Sequence, residues 1–340
     1  MQQSVRRIYT LAACCLMVLA FSGASVAQYY TAAYLTANTT GKAKHTDALL
    51  ANPWGLAYGP GAPFWISDEA SGYSTLYDGT GTPQALQVVI PPTAGTGKGT
   101  PTGIVYNGST EFQIDTWTSV FLFATLDGTI SGWSHFVPNA ALIGVRHSGA
   151  VYTGLAITSK SSGNRLFAAD AANNKVDIYD GSFNLVSSFT DPTTPAGYAP
   201  FGIQDIAARV YVTYAQTSGG PGGFVSVFKE DGTFVKRFIR GTPLNQPWGM
   251  AIAPATGFGP LSGTFLVSNN TKAGTINGFN ATTGKLVGTV KNLAGVPIRL
   301  SGLWGIEFGG GTAANGKTNQ LFFTAGAGDT EGLFGAINSH

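Results

Sequence analysis

Short apolar runs separated by glycine-rich polar turns recur along the whole chain. Aligned on one glycine, the pattern occurs six times. The copies are Asn52-Pro53-Trp54-Gly55-Leu56-Ala57, Thr100-Pro101-Thr102-Gly103-Ile104-Val105 and Val151-Tyr152-Thr153-Gly154-Leu155-Ala156. Then come Ala199-Pro200-Phe201-Gly202-Ile203-Gln204, Gln246-Pro247-Trp248-Gly249-Met250-Ala251 and Gly302-Leu303-Trp304-Gly305-Ile306-Glu307. The glycines are spaced by 48, 51, 48, 47 and 56 residues. Each copy continues with a second apolar run, a polar turn and an alternating third run such as Lys175-Val176-Asp177-Ile178-Tyr179. Alternation at period two is the mark of a strand. Asp180-Gly181 and Asp231-Gly232 then precede a fourth run, and Asp-Gly suits a hairpin turn because that turn needs positive φ. Four short strands per repeat describe a propeller blade. No stretch reads as a long helix, so the expectation is an all-β, six-bladed β-propeller.

The blades should span about 52–98, 99–150, 151–196, 197–245, 246–300 and 301–340. The sixth is one strand short, because the chain ends soon after Gly332-Leu333-Phe334-Gly335-Ala336-Ile337. Tyr29-Tyr30-Thr31-Ala32-Ala33-Tyr34-Leu35 is a spare strand near the other end. Pairing the two, with residues 29–38 completing the last blade, removes two exposed edges. Strand parity adds a further expectation. Residues one after the repeat glycine (Leu56, Ile104, Leu155, Ile203, Met250, Ile306) should pack between blades. Residues two after (Ala57, Val105, Ala156, Gln204, Ala251, Glu307) should face the channel. Trp54, Trp248 and Trp304 precede the glycine and by parity also turn between blades; a carbohydrate platform is the alternative.

Composition narrows the function classes. Only 11% of residues are charged and the net charge is +2. That is too balanced for a surface that tracks nucleic-acid phosphates, and 44% hydrophobic residues exclude a disordered chain. At the N-terminus, Arg6 and Arg7 precede 14 mostly apolar residues, Ile8 to Phe21, and then Ser25-Val26-Ala27. This is the layout of a secretory signal over residues 1–27, cleaved after Ala27, which implies a secreted or periplasmic protein. The run is shorter than the roughly 20 residues of a spanning helix. Twin-arginine export through Arg6-Arg7 and lipidation at Cys14 are alternatives. Cys14 and Cys15 are the only cysteines, so the mature chain would hold no disulfide. We expect a monomer with no transmembrane segment.

The repeat resembles NHL-type six-bladed propellers and the superfamily of calcium-dependent phosphotriesterases and gluconolactonases. It is most similar to a family of exported bacterial propellers without an assigned activity. The residues carrying the resemblance are His45-Thr46-Asp47, Asn52 to Ala57, Phe64-Trp65-Ile66-Ser67-Asp68, Ser74 to Gly79, and Leu303-Trp304-Gly305-Ile306. It covers residues 28–340. The enzymes of that superfamily imply calcium held by acidic and amide side chains at the channel mouth.

Loops entering the first strand, and loops joining the second and third, should form that mouth. They carry His45, Asp47, Asn52, Asp68, Glu69, Asp127, Asp170, Asn173, Asn269, Asn270 and Asp329. Calcium takes six to eight oxygens, whereas Asp and Asn also cap turns through their own backbone. The candidate metal set is Glu307, Gln204, Asn52, Asp68 and Asn269, with Glu307 foremost as a carboxylate on the axis. A water bridge between Glu307 and Gln204 is the competing reading. His45 and Asp47 suit a metal or acid–base pair, or a loop clamp beside the closing strand. No Gly-x-Ser-x-Gly elbow occurs in the mature chain, and Gly309-Gly310-Gly311 lacks the ending of a phosphate loop. Three functions remain: a scaffold that binds a ligand or protein partner at one axial face, a calcium-dependent hydrolase or lyase at the channel mouth, or a structural envelope protein that uses blade edges for protein contacts.

Overall fold

A computed structural model describes residues 28–158, 163–328 and 330–340. The expected signal peptide, with Cys14 and Cys15, lies outside them, as does Asp329. Blade 1 is the antiparallel sheet Pro53–Ala57, Phe64–Asp68, Tyr73–Tyr77, Pro83–Val89. Blades 2 to 5 begin with inner strands Pro101–Tyr106, Tyr152–Thr158, Tyr198–Asp205 and Pro247–Ile252, and each is four-stranded. Blade 6 consists of Leu303–Phe308, Leu321–Ala325 and Leu333–Ser339, completed on its outer side by Tyr30–Ala37. The protein is therefore a six-bladed β-propeller closed by its N-terminal strand.

The closure runs from Tyr30 opposite Ser339 to Ala37 opposite Leu333. His45–Thr46 then pairs in parallel outside it. Tyr30 reaches further: its hydroxyl donates to Phe258 O (2.8 Å) and accepts Leu261 N–H (3.0 Å), tying the closing strand to blade 5. Each pair of neighbouring blades encloses an apolar layer. Between blades 1 and 2, for example, Trp65 stacks on Phe121 at 4.3 Å and meets Trp133. Among the described residues the only helical element is the 3₁₀ turn Gly259–Leu261. No helix there is long and apolar enough to cross a membrane.

The inner strands depart from simple alternation. In blade 1, Pro53 faces Asp68 but Leu56 faces Ile66, so one extra residue is accommodated at Trp54-Gly55. The same bulge occurs in blades 4, 5 and 6, between Pro200 and Ile203, Pro247 and Met250, and Leu303 and Ile306. A bulge re-aims the side chain it carries and leaves backbone groups outside the ladder. Those groups find other partners, as buried backbone must. Gly202 N–H donates to Thr213 Oγ1 (2.7 Å), Gly249 N–H to Ser268 Oγ (2.8 Å) and Gly305 N–H to Thr324 Oγ1 (2.9 Å). Ser268 and Thr324 pass the bond on, to Trp304 O (2.6 Å) and Trp54 O (2.5 Å) in the next blade. Glycine is required here by close approach of neighbouring backbones. A Cβ on Gly202 would lie 2.1 Å from Trp248 O, and one on Gly249 2.5 Å from Trp304 O.

The bulge corrects the parity reading. Leu56, Ile104, Leu155, Ile203, Met250 and Ile306 line the axial cavity as well as packing between blades. Ala57, Val105, Ala156 and Ala251, expected on the channel, pack in the layers between blades. Gln204 and Glu307 do line the cavity. The three tryptophans turn toward the axis, not between blades.

Candidate functional site

On the axis, Trp54 and Trp304 stack at 3.6 Å and 17°. Trp248 meets both edge-on, at 6.2 and 5.8 Å, and Phe201 joins them. The three indoles are almost wholly buried, so the platform that would stack a sugar is spent on the plug itself. Trp248 Nε1 donates across the ring to Thr153 O (2.9 Å), and Trp304 Nε1 to Asn52 Oδ1 (3.1 Å). Trp54 Nε1 is buried without a partner.

Further along the axis lies a cavity of about 30 Å³ lined by Glu307, Gln204 and the apolar ring. That volume holds a water or two. Desolvation pushes the Glu307 carboxyl up to about 7, partly offset by the hydrogen bond from Phe308 N–H. Tyr58 is pushed up to about 12, by burial first and the Glu307 charge second. One carboxylate and one amide among Leu, Ile and Met side chains do not fit calcium, which asks for six to eight oxygens. No cluster of three metal-ligating His, Cys, Asp or Glu residues occurs among the described residues.

The remaining members of the candidate metal set lie in loops and strand ends away from that cavity, each held by other groups. Asn52 donates to Glu69 Oε2 (2.8 Å) while accepting from Trp304. Asp68 is fully buried and accepts Thr75 N–H (3.1 Å) and Oγ1–H (2.7 Å); burial holds its carboxyl well above the usual range. Asn269 donates to Pro243 O (2.8 Å) and accepts Asn245 N–H (3.0 Å). Asp127 and Asp170 likewise accept from Thr93 N–H (2.7 Å) and Val151 N–H (3.1 Å). Asp47 accepts the Tyr77 hydroxyl (2.9 Å) and Leu49 N–H (3.0 Å), while His45 pairs through its backbone with Thr36. Asp47 N–H also donates to Ala37 O (3.0 Å) on the closing strand, and His45 Nε2 is buried without a partner.

The larger open space lies on the tryptophan side of the ring. One cavity of about 800 Å³ is bounded by Asn52, Asn245, Gln246, Asn270, Lys272 and Trp304. A second, of about 550 Å³, is bounded by Thr153, Ala172, Pro200, Phe201 and Gln216. Gly219 and Gln246 line both, so the two are adjacent halves of a groove past the aromatic plug. Its lining is rich in amides and small residues, Lys272 is its one charged residue among the described residues, and Asn270 Nδ2 is buried without a partner.

No model of a known protein family matches the chain. It is 32% identical over 333 residues to "Uncharacterized protein R648" of Acanthamoeba polyphaga mimivirus, covering 89% of this chain and 79% of that one. It is 30% identical over 334 residues to "Uncharacterized protein L690" of the same virus, covering 89% and 84%. The chain belongs to the family of these mimivirus proteins. The relatives are viral, whereas the sequence resemblance pointed to bacterial ones. Among solved structures, a streptogramin B lyase is similar with a TM-score of 0.55 at 12% identity, over 92% of this chain and 98% of that one. A gluconolactonase from Xanthomonas campestris is similar with a TM-score of 0.55 at 13% identity, over 86% and 89%. At such identities the likeness is one of fold alone.

Sequence reasoning missed one polar network. In blade 3, fully buried Asp177 accepts the Tyr152 hydroxyl (3.0 Å) and lies 2.7 Å from Lys175 Nζ and 3.2 Å from His147 Nδ1. The Tyr152 and Tyr179 hydroxyls are 2.6 Å apart, and His147 Nδ1 is 2.7 Å from the former. Burial raises both phenols, Tyr179 to about 12 and Tyr152 further. The repeat alignment held the signal. Tyr152 stands where other copies have Pro53, Pro101, Pro200 and Pro247. Asp177 stands where register places neutral Thr75, Ser131, Ser226 and Asn277.

Proposed function

We propose that the chain is an exported binding scaffold whose ligand lies in the groove on the tryptophan side of the ring. The observation that carries this reading is the adjacency of two cavities, about 800 and 550 Å³, at Gly219 and Gln246. Small-molecule sites occupy some 300–1,000 Å³ and place a few polar groups in a shaped space. Each half of the groove has that size. Its near-neutral lining suits an uncharged ligand rich in hydrogen-bonding groups. The plug beneath is rigid, since two of its indoles are stacked and two are hydrogen-bonded, Trp248 across the ring and Trp304 to the next blade. The Glu307 cavity takes no part in recognition, because about 30 Å³ admits water only.

The test is titration of the mature chain with neutral oligosaccharides and peptides, read by tryptophan fluorescence. Ala172→Trp and Lys272→Trp each fill one half of the groove and should remove the response. A ligand that binds both variants as it binds the parent places the function elsewhere. Export is tested by mass spectrometry of secreted material, which should begin at Gln28; an acylated Cys14 would replace soluble export with lipid anchoring.

A further inference from the structure

A further cavity of about 350 Å³ opens where the ring is sewn shut, adjoining the groove at Ser301 and Gly326. One wall is the closing segment, with Tyr34, Ala37, Asn38 and Lys42. The facing wall is blade 6 and its approach, with Arg299, Leu300, Ala325, Glu331 and Leu333. The two walls are fastened together. Asn38 Nδ2 donates to Thr330 O (2.8 Å), its Oδ1 accepts Gly332 N–H (3.1 Å), and its own N–H donates to Gly332 O (3.1 Å).

The lining is unlike the groove. Its floor is apolar, with Ala37, Leu300, Ala325 and Leu333. Lys42 and Arg299 supply two cations against the single carboxylate of Glu331. Neither cation is ion-paired among the described residues; Arg299 makes only a long contact, Nη1 to Ala273 O at 3.5 Å. Two unpaired cations over an apolar floor complement an anion carried on an apolar body. Charge-assisted hydrogen bonds to a carboxylate or sulfonate are about twice as strong as neutral ones. The volume suits a single aromatic or medium-chain acid.

We infer that this seam pocket is a binding site for a small organic anion with an apolar body, held by Lys42 and Arg299. It does not depend on the groove's ligand. Because both walls exist together only in the closed ring, occupancy also favours the closed ring by mass action.

The test uses a matched pair of fluorescent probes on the mature chain. They are 8-anilinonaphthalene-1-sulfonate and neutral N-phenyl-1-naphthylamine, which share the apolar body and differ in the sulfonate. The sulfonate should bind at one site about tenfold or more tighter than the neutral probe, and the preference should shrink as salt rises. Lys42→Gln with Arg299→Gln should bring the two affinities together. Both side chains are exposed, so the double variant should melt like the parent. Glu331→Gln should tighten the sulfonate. Equal affinities in the parent, or a sulfonate preference that survives the double variant, would overturn the assignment.

Discussion

Glu307→Gln offers a quantitative test of how the axis is built. The Glu307 carboxyl lies beside a cavity of about 30 Å³ inside an apolar ring, and burial lifts its pKa from 4.5 to about 7. Below pH 4.5 the folded and unfolded chains both hold the proton, and nothing is lost. Between 4.5 and 7 the unfolded chain releases the proton while the folded one keeps it, so stability falls as pH rises. Above 7 the full penalty is present. At 1.36 kcal/mol per pH unit, it amounts to roughly 3 kcal/mol. Water in the cavity lowers the cost, so this is an upper figure. Gln has the same shape and still accepts the Phe308 N–H, but it carries no charge. The variant should therefore match the parent at pH 4 and exceed it by up to about 3 kcal/mol at pH 8. With an unfolding entropy of roughly 2.1 cal/mol/K per residue, that corresponds to about 5 °C in Tm. Calorimetric melts from pH 4 to 8 read it directly. No gain at pH 8, or an equal gain at pH 4, would refute the reasoning, the first by showing that the charge is solvated and the second that shape is responsible.

Three further outcomes follow from the ring. Gly202→Ala, with its Cβ 2.1 Å from Trp248 O, should destabilise by about 3 kcal/mol, whereas Gly154→Ala, whose nearest neighbour is 3.2 Å away, should cost clearly less; denaturant melts showing equal losses would remove close approach as the reason for the repeat glycine. Deleting Tyr29 to Leu35 should leave the strand Leu333–Ser339 as an open edge and produce aggregation or a large fall in Tm, visible by light scattering; a deletion that melts like the parent contradicts closure. Trp304→Ala removes one half of the central stack and its bond to Asn52, so it should cost about 3–5 kcal/mol in denaturant melts; a change under 1 kcal/mol would mean that the plug adds little to the fold.

The number of blades, their strand order and the closing strand were legible in the sequence because they rest on local signals. The signals are period-two alternation, turns such as Asp180-Gly181, and a repeat that keeps its spacing. Where Trp54, Trp248 and Trp304 point was not legible. Parity assumes unbroken alternation, and one extra residue per inner strand breaks it. Only the neighbouring blade shows why that bulge is tolerated, through the hydroxyls of Ser268 and Thr324 that take up the displaced backbone. Gln204 and Glu307 line the axial cavity as expected, but Ala57, Val105, Ala156 and Ala251 at the same register do not, so parity alone did not decide their place. That Asn52, Asp68 and Asn269 lie away from that cavity was not readable, since residue type does not tell that Asn52 Oδ1 accepts from Trp304, Asn269 Oδ1 from Asn245 and Asp68 Oδ2 from Thr75. The groove and the seam pocket belong wholly to the tertiary structure. Their walls come from loops of different blades, Gly219 with Thr271 and Lys42 with Arg299, and only ring closure brings residues so distant in the chain to one surface.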